Sequence, residues 1–182
     1  MIIFLIFILV LLCINRNYES FKDIKTHSIH IDNLYINLSD KPFGGQKYNA
    51  ILKENNPEKF ILKKIDDKYY QISPENKPNL LLAINTINGI PQFNELVTFI
   101  NKNNLNTNNP ISRNKYRSSL WKIILNSDNN TYQIYNKRFP RKFLHNSLDK
   151  LFNTNCSVDG VVKFKSNYKY HSNWIISPLL NE

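Results

Sequence analysis

The chain has 182 residues, of which 42% are hydrophobic and 21% charged, and its formal net charge at pH 7 is +10. This length and composition are those of one compact globular domain. A disulfide framework is excluded, because Cys13 lies in an apolar N-terminal run and leaves Cys156 alone in the domain, as expected on the reducing side of a membrane.

The first element is an unbroken apolar run over residues 1–14. As a helix it would rise about 21 Å, which is less than the roughly 30 Å of bilayer hydrocarbon and suits a signal peptide or a short anchor. No Lys or Arg precedes the run and no A-x-A-like site follows it, so a retained anchor is favoured. The predicted anchor residues are Ile2, Phe4, Leu5, Phe7, Leu9, Leu11 and Ile14.

The charges that flank the run predict its orientation. Arg16, Lys22 and Lys25 all follow it, and by the positive-inside tendency the domain lies on the cytoplasmic side. We therefore expect a hydrophobic anchor and juxtamembrane linker over residues 1–24 and one domain over residues 25–182.

The domain contains repeated segments in which apolar and polar residues alternate, as in half-buried strands. The clearest echo is between Tyr69–Ser73 (YYQIS) and Thr131–Tyr135 (TYQIY), with Leu34–Asn37 (LYIN) as a weaker third copy. A second echo pairs with each of these and contains a large aromatic residue, Phe60, Trp121 or Trp174. The chain therefore carries three copies of an ordered pair.

Further short apolar runs lie between these echoes, separated by turn-forming clusters. They are Tyr48–Leu52, Leu80–Ile84, Lys142–Leu144 and Val161–Phe164. Many short strands with frequent turns indicate an antiparallel sandwich or barrel. Helix is expected only at the N-terminus and around Gln92–Asn101, and the Asn-rich segment Asn101–Asn114 is expected to be a surface loop.

Basic residues are concentrated after residue 110, where 12 Lys and Arg stand against 4 Asp and Glu. Such a surface favours anionic partners, although a solvated basic face looks the same in sequence. Two stretches also interleave cations with aromatic rings, which can hold phosphates or meet anionic lipid. The predicted patch consists of Arg113, Lys115, Arg117, Lys137, Arg138, Arg141 and Lys142.

The repeats resemble those of the ricin-type β-trefoil, in which a Q-x-W element closes each of three repeats. The elements that carry the resemblance are Glu58-Lys59-Phe60, Ser119-Leu120-Trp121 and Ser172-Asn173-Trp174. The resemblance covers residues 33–180. It implies an all-β trefoil with pseudo-three-fold repeats, preceded by the short N-terminal helix, in which the closing aromatic residues are core rather than sugar-stacking surfaces.

One departure from the family concerns its Cys-x-Asp element, which positions a sugar-binding carboxylate in ricin-type lectins. The stretches expected to correspond to it are Asn49–Ile51, Leu82–Ile84 and Leu144–Asn146, and none contains a carboxylate. The candidate ligand contacts of the third copy are Tyr135, His145 and Asn146, with an ordinary surface histidine as the alternative for His145.

No convergent set of acid, base and nucleophile residues is visible, so we predict a non-enzymatic protein without catalytic residues. Gly44-Gly45 lacks the Lys-Ser or Lys-Thr of a phosphate loop. His27 and His30 have no further ligand at metal-binding spacing, and neither a metal nor a cofactor is expected.

The leading hypothesis is a non-enzymatic, membrane-anchored β-trefoil that binds a partner or builds a structure. Its short anchor and its Asn-, Ile- and Lys-rich composition resemble small virion membrane proteins of large AT-rich DNA viruses, an analogy rather than a derivation. The alternative is a ricin-like lectin that faces outside and binds glycans, and an enzyme of unknown class is third. The expected partners are the membrane, anionic lipid, acidic protein or glycan, and nucleic acid stays open.

Overall fold

The computed structural model describes residues 25–42, 47–85, 95–105, 110–146, 156–160 and 173–180. The predicted anchor lies outside these ranges, as does the predicted strand Val161–Phe164. Within the described ranges, no helix has the length and apolar character that crossing a membrane requires. The helices there are a short 3-10 helix at Lys102–Asn104 and one α-helix, α1, at Pro110–Ser118.

Twelve β-strands make up most of the described chain. They are β1 (Thr26–Ile31), β2 (Leu34–Leu38), β3 (Tyr48–Glu54), β4 (Phe60–Lys64), β5 (Tyr70–Pro74), β6 (Leu80–Ile84), β7 (Glu95–Asn101), β8 (Trp121–Asn126), β9 (Thr131–Asn136), β10 (Lys142–Asn146), β11 (Cys156–Gly160) and β12 (Ile175–Ser177). All of their pairings are antiparallel.

Six of the strands form a closed barrel in the order β1, β4, β5, β8, β9, β12. The last gap is closed at the residue before β12, where the backbones of Tyr132 and Trp174 exchange hydrogen bonds of 2.7 and 2.9 Å. Closure removes the unpaired edges that an open sheet would expose. The remaining strands form three hairpins, β2–β3, β6–β7 and β10–β11, and β7 also pairs with both β3 and β11.

This arrangement is a β-trefoil, with four strands in each of three repeats. The register shows the three-fold relation directly, since Phe60 pairs with His27, Trp121 with Tyr70 and Trp174 with Tyr132. The side chains of the three closing residues are all 0% exposed. The prediction that they occupy equivalent buried positions is confirmed.

The two tryptophans also make the same hydrogen bond. Trp121 Nε1 donates to the Leu82 carbonyl at 2.8 Å, and Trp174 Nε1 donates to the Leu144 carbonyl at 2.9 Å. Each therefore ties a barrel strand to the hairpin of its own repeat. Phe60 has no such donor and instead packs parallel to Phe99, with 5.9 Å between ring centroids.

The assignment of the first repeat is corrected by the structure. Leu34–Asn37, the expected third copy of the YYQIS echo, lies in β2, whereas the strand equivalent to β5 and β9 is β1. There Ile29 takes the place of Ile72 and Ile134, and all three are fully buried. The match was hidden because His and Ser replace the Tyr and Gln of the other copies.

Two local predictions between β6 and β8 were wrong. Glu95–Asn101 is a strand, not a helix, because it pairs with β3, β6 and β11 and buries Val97 and Phe99, so tertiary pairing decides its conformation. The expected loop Asn101–Asn114 contains the 3-10 helix and the start of α1. Pro110 suits the first helical position, since its fixed φ and missing N–H cost nothing there.

Candidate ligand-binding site

An aromatic pair lies on the third repeat, where Tyr135 of β9 faces Phe143 of β10. Both side chains are partly exposed, and their rings meet edge to face with centroids 6.0 Å apart. The Tyr135 hydroxyl donates to Gln133 Oε1 at 2.6 Å, and partial burial raises the pKa of the Tyr135 phenol above its usual value. We call this pair the third-repeat ledge.

A second pair lies on the first repeat, where His30 of β1 faces Tyr35 of β2. Their rings stack with centroids 4.6 Å apart, and both are partly exposed. The tight turn between the strands has Asp32 at φ 51°, a left-handed conformation that Asp tolerates well. His30 Nδ1–H donates to the Asp32 carbonyl at 2.7 Å, which fixes the imidazole. We call this pair the first-repeat ledge.

The two ledges occupy three-fold-related positions. His30 and Tyr135 each follow the buried isoleucine of their barrel strand, and Phe143 precedes the residue whose carbonyl accepts from a closing tryptophan. The corresponding residues of the second repeat are Ser73 and Leu81, and both are buried. Two of the three repeats therefore present an aromatic ledge, and the second does not.

The predicted ligand contacts of the third repeat fall in different environments. Tyr135 belongs to the ledge, whereas His145 is only 2% exposed and has its ring centroid 6.3 Å from that of Phe143. It is therefore neither an exposed contact nor a surface histidine. Asn146 ends β10 and pairs through its backbone with Cys156.

The alignment with the family's Cys-x-Asp element also needs correction. Leu82 and Leu144 are equivalent, because each accepts the hydrogen bond of a closing tryptophan. The strand order then places Ile36–Leu38, not Asn49–Ile51, at the equivalent position of the first repeat. Its central residue, Asn37, is buried, and its Nδ2 donates to the carbonyls of Tyr35 and Asn56 at 3.0 and 2.9 Å. That amide has a structural role, and this stretch also lacks a carboxylate.

The two basic stretches meet at one point. The first, Arg113–Arg117, lies on α1, and the second, Lys137–Lys142, runs from the end of β9 to the first residue of β10. Asn136 joins them, because its Nδ2 donates to the Ser118 carbonyl at 2.8 Å and its Oδ1 accepts from the Arg138 N–H at 3.0 Å. The end of α1 is therefore held beside the start of the second stretch.

The seven predicted patch residues are not equally available to a partner. Lys137 is engaged, with its Nζ 3.2 Å from Asp66 Oδ2 and 4.1 Å from the centroid of the Tyr69 ring. Like Lys137, Arg138 and Lys142 are partly buried. The exposed members of the predicted patch are Arg113, Lys115, Arg117 and Arg141.

A small pocket lies beside α1, and Lys115 is the one lining residue for which the sequence predicts a functional role, as a member of the basic patch. Its volume is about 70 Å³, against about 10 to 15 Å³ for one water on a comparable measure, so it admits a small polar group. It is lined by Lys47, Ile84, Asn85, Ile100, Asn101, Asn104, Leu105, Lys115 and Ser118.

No family model and no curated protein sequence matches this chain. Its fold is similar to that of a mosquitocidal holotoxin, with 19% identity and a TM-score of 0.61 over 87% of this chain, which spans only 18% of the toxin. It is also similar to a salivary protein of Culex quiquefasciatus from the Cysteine and Tryptophan-Rich family, with 14% identity and a TM-score of 0.60, covering 85% of this chain and 94% of that one.

A third similar structure is the Macrolepiota procera ricin B-like lectin in complex with lactose. The identity is 14% and the TM-score 0.57, and the match covers 84% of this chain and 94% of the lectin. At these identities the similarity concerns the fold alone. Together with the three-fold register and the two equivalent tryptophan hydrogen bonds, it establishes a β-trefoil fold.

Proposed function

We propose that the domain is a non-enzymatic binding module that recognises carbohydrate through the two aromatic ledges. The observation that carries the proposal is the recurrence of a partly exposed aromatic pair at three-fold-related positions. The apolar C–H face of a sugar ring packs on an aromatic face, whose quadrupole attracts the slightly positive C–H hydrogens. Two equivalent ledges would give one chain two sites of the same chemical class.

Polar groups beside each ledge supply partners for sugar hydroxyls. In the first repeat Tyr35 lies opposite Lys53, whose Nζ is also 2.8 Å from Asp40 Oδ1. In the third repeat Tyr135 lies opposite Lys122, and its hydroxyl keeps lone pairs free to accept while it donates to Gln133. An apolar surface with a few convergent polar groups is what a small-ligand site requires.

The solved structures support this proposal by analogy of fold. One of the similar proteins is a lectin whose structure contains lactose. Since fold alone does not determine function, the argument depends on the ledges, and the missing Cys-x-Asp carboxylate means that any sugar would be held differently from the ricin-type pattern.

The experiment is a glycan array probed with the full-length protein in mild detergent, together with Tyr35→Ala, Tyr135→Ala and the double variant. The matched control is Tyr116→Ala, which removes a partly exposed tyrosine from α1, outside both ledges. We expect binding that the single variants weaken, the double variant abolishes and the control retains. Absence of any bound glycan, or equal binding by the double variant, would contradict the proposal.

A second candidate function is a structural module held at a membrane, on the cytoplasmic side or inside a virion membrane, as the N-terminal anchor and its flanking charges predict. The exposed Arg113, Lys115 and Arg117 on α1 favour it, because each exposed cation near anionic lipid contributes about 1 kcal/mol of attraction. A lectin of outer glycans needs the opposite orientation. Protease digestion of sealed vesicles separates the two candidate functions, because a domain that lies inside the vesicle is cut only after the membrane is opened.

A further inference from the structure

We propose that the pocket beside α1 binds an acidic group, a carboxylate or sulfate, carried by the ligand. The inference rests on the proposed recognition of carbohydrate and narrows it to acidic glycans. The second repeat, which has no aromatic ledge, would then contribute charge recognition together with Lys47 of the first repeat, while the ledges of the first and third repeats contribute apolar contact.

The polar lining of the pocket comes from separate parts of the chain. Lys47 lies immediately before β3, Asn85 immediately after β6 and Lys115 on α1. Asn101, which precedes the 3-10 helix, and Asn104, its last residue, add two more side-chain amides. Ammonium and amide N–H groups are donors, so the lining suits an acceptor-rich group such as an oxyanion.

The charge of the pocket is not neutralised within the described part of the chain. No Asp or Glu is among its lining residues, and neither Lys47 nor Lys115 forms an ion pair with a described carboxylate. The adjoining segments 43–46, 86–94 and 106–109 contain no Asp or Glu either. Lys47 Nζ donates to Asn85 Oδ1 at 3.4 Å, a long contact that leaves its other two N–H groups for a ligand.

The helix accounts for the presence of only one of the two lysines at the pocket. A cation in the last turn of a helix is stabilised by the helix dipole, which accounts for Lys115 without any ligand. Lys47 lies outside the helix, immediately before β3, so a place in the last helical turn does not account for it. Two like charges on one small cavity repel each other, and an anion between them would turn this repulsion into attraction.

The connection that carries α1 is longer than its counterpart in the first repeat. Between β7 and β8 the chain inserts residues 102–120, whereas the equivalent connection between β3 and β4 is residues 55–59. The insertion supplies α1 and the 3-10 helix, and with them four of the nine residues that line the pocket, Asn104, Leu105, Lys115 and Ser118. Ser73 and Leu81 are buried at the ledge position of this repeat, so its ligand contact must differ in kind.

The test uses the full-length protein in detergent, titrated with a heparin tetrasaccharide (sulfate), a hyaluronan tetrasaccharide (carboxylate) and neutral chitotetraose. The pocket variant is Lys47→Gln with Lys115→Gln. The charge-matched control is Lys63→Gln with Lys64→Gln, which removes two exposed cations from β4. Loss of charge-assisted hydrogen bonds should weaken binding of at least one acidic glycan about tenfold or more, with chitotetraose binding unchanged.

The outcomes separate this inference from the proposed function. If the control variant loses as much affinity for the acidic glycan as the pocket variant, the loss comes from the change in overall charge, and the pocket inference is overturned. If chitotetraose binds but the pocket variant binds every glycan normally, the proposed function stands and the pocket inference fails. If no glycan binds, the proposed function fails, and titration with inorganic sulfate decides the pocket: saturable NMR shifts at Asn85 and Asn101 support it, and their absence overturns it.

Discussion

Replacement of Trp174 by Ala is the sharpest test of the trefoil core. The indole is fully buried against the central cluster, and its Nε1 donates to the Leu144 carbonyl at 2.9 Å. Truncation of such a side chain costs about 3 to 5 kcal/mol through lost burial and the cavity that remains. Domains of this kind hold only about 5 to 15 kcal/mol in total, so the variant should be close to unfolding at room temperature.

Trp174→Phe should cause a smaller loss of stability, because Phe60 shows that the fold accepts Phe at the equivalent position. It keeps most of the ring but leaves the Leu144 carbonyl without its donor, which costs about 1 to 3 kcal/mol. Ile124→Ala, at an exposed site of β8, is the control and should change stability by less than about 0.5 kcal/mol. Urea unfolding followed by circular dichroism measures all three, and a loss below about 1 kcal/mol for Trp174→Ala would refute the assignment of this ring to the core.

Three further predictions concern single features of the fold. Burial lowers the pKa of His27, so the unfolded chain binds a proton more readily below about pH 6.5 and the folded state loses stability as the pH falls. His27→Tyr, which introduces the tyrosine found at the equivalent position of the other two repeats, should remove this part of the acid sensitivity. If a change from about pH 7.5 to 5.5 shifted the urea midpoint equally in the variant and the wild type, the prediction would be contradicted. Asn136→Ala should cost about 1 to 3 kcal/mol in urea unfolding, because it leaves buried partners without hydrogen bonds, and a neutral result would show that it does not tie α1 to the barrel. Reversal of Arg113 and Arg117 to Glu should weaken binding of the full-length protein to phosphatidylserine vesicles, most strongly at low salt, and salt-independent binding would exclude an electrostatic contribution of α1.

The trefoil could be predicted from the sequence because its closing positions demand large aromatic residues. Trp121 and Trp174 recur with similar neighbours, and the fold requires each to fill the same space. The predictions that were wrong concern segments whose conformation depends on pairing with strands that are distant in sequence. β7 is a strand because three other strands pair with it, and nothing within Glu95–Asn101 reveals them.

The candidate site was less visible than the fold. The sequence predicts Tyr135 as a ligand contact, but it predicts its partner Phe143 only as part of a strand. The first-repeat ledge could have been found, because Asp32 and Asn33 form a turn signal that places His30 opposite Tyr35. The pocket had no such signal, since its lysines are far apart in sequence and meet only through tertiary structure.

The central claim, that two equivalent ledges bind carbohydrate, is tested most directly by the number of sites. Isothermal titration of the full-length protein with the neutral glycan that binds best on the array should give two sites per chain. Tyr35→Ala and Tyr135→Ala should each reduce this number to one. A stoichiometry that neither substitution changes would contradict the account, because the glycan would then be held elsewhere on the trefoil.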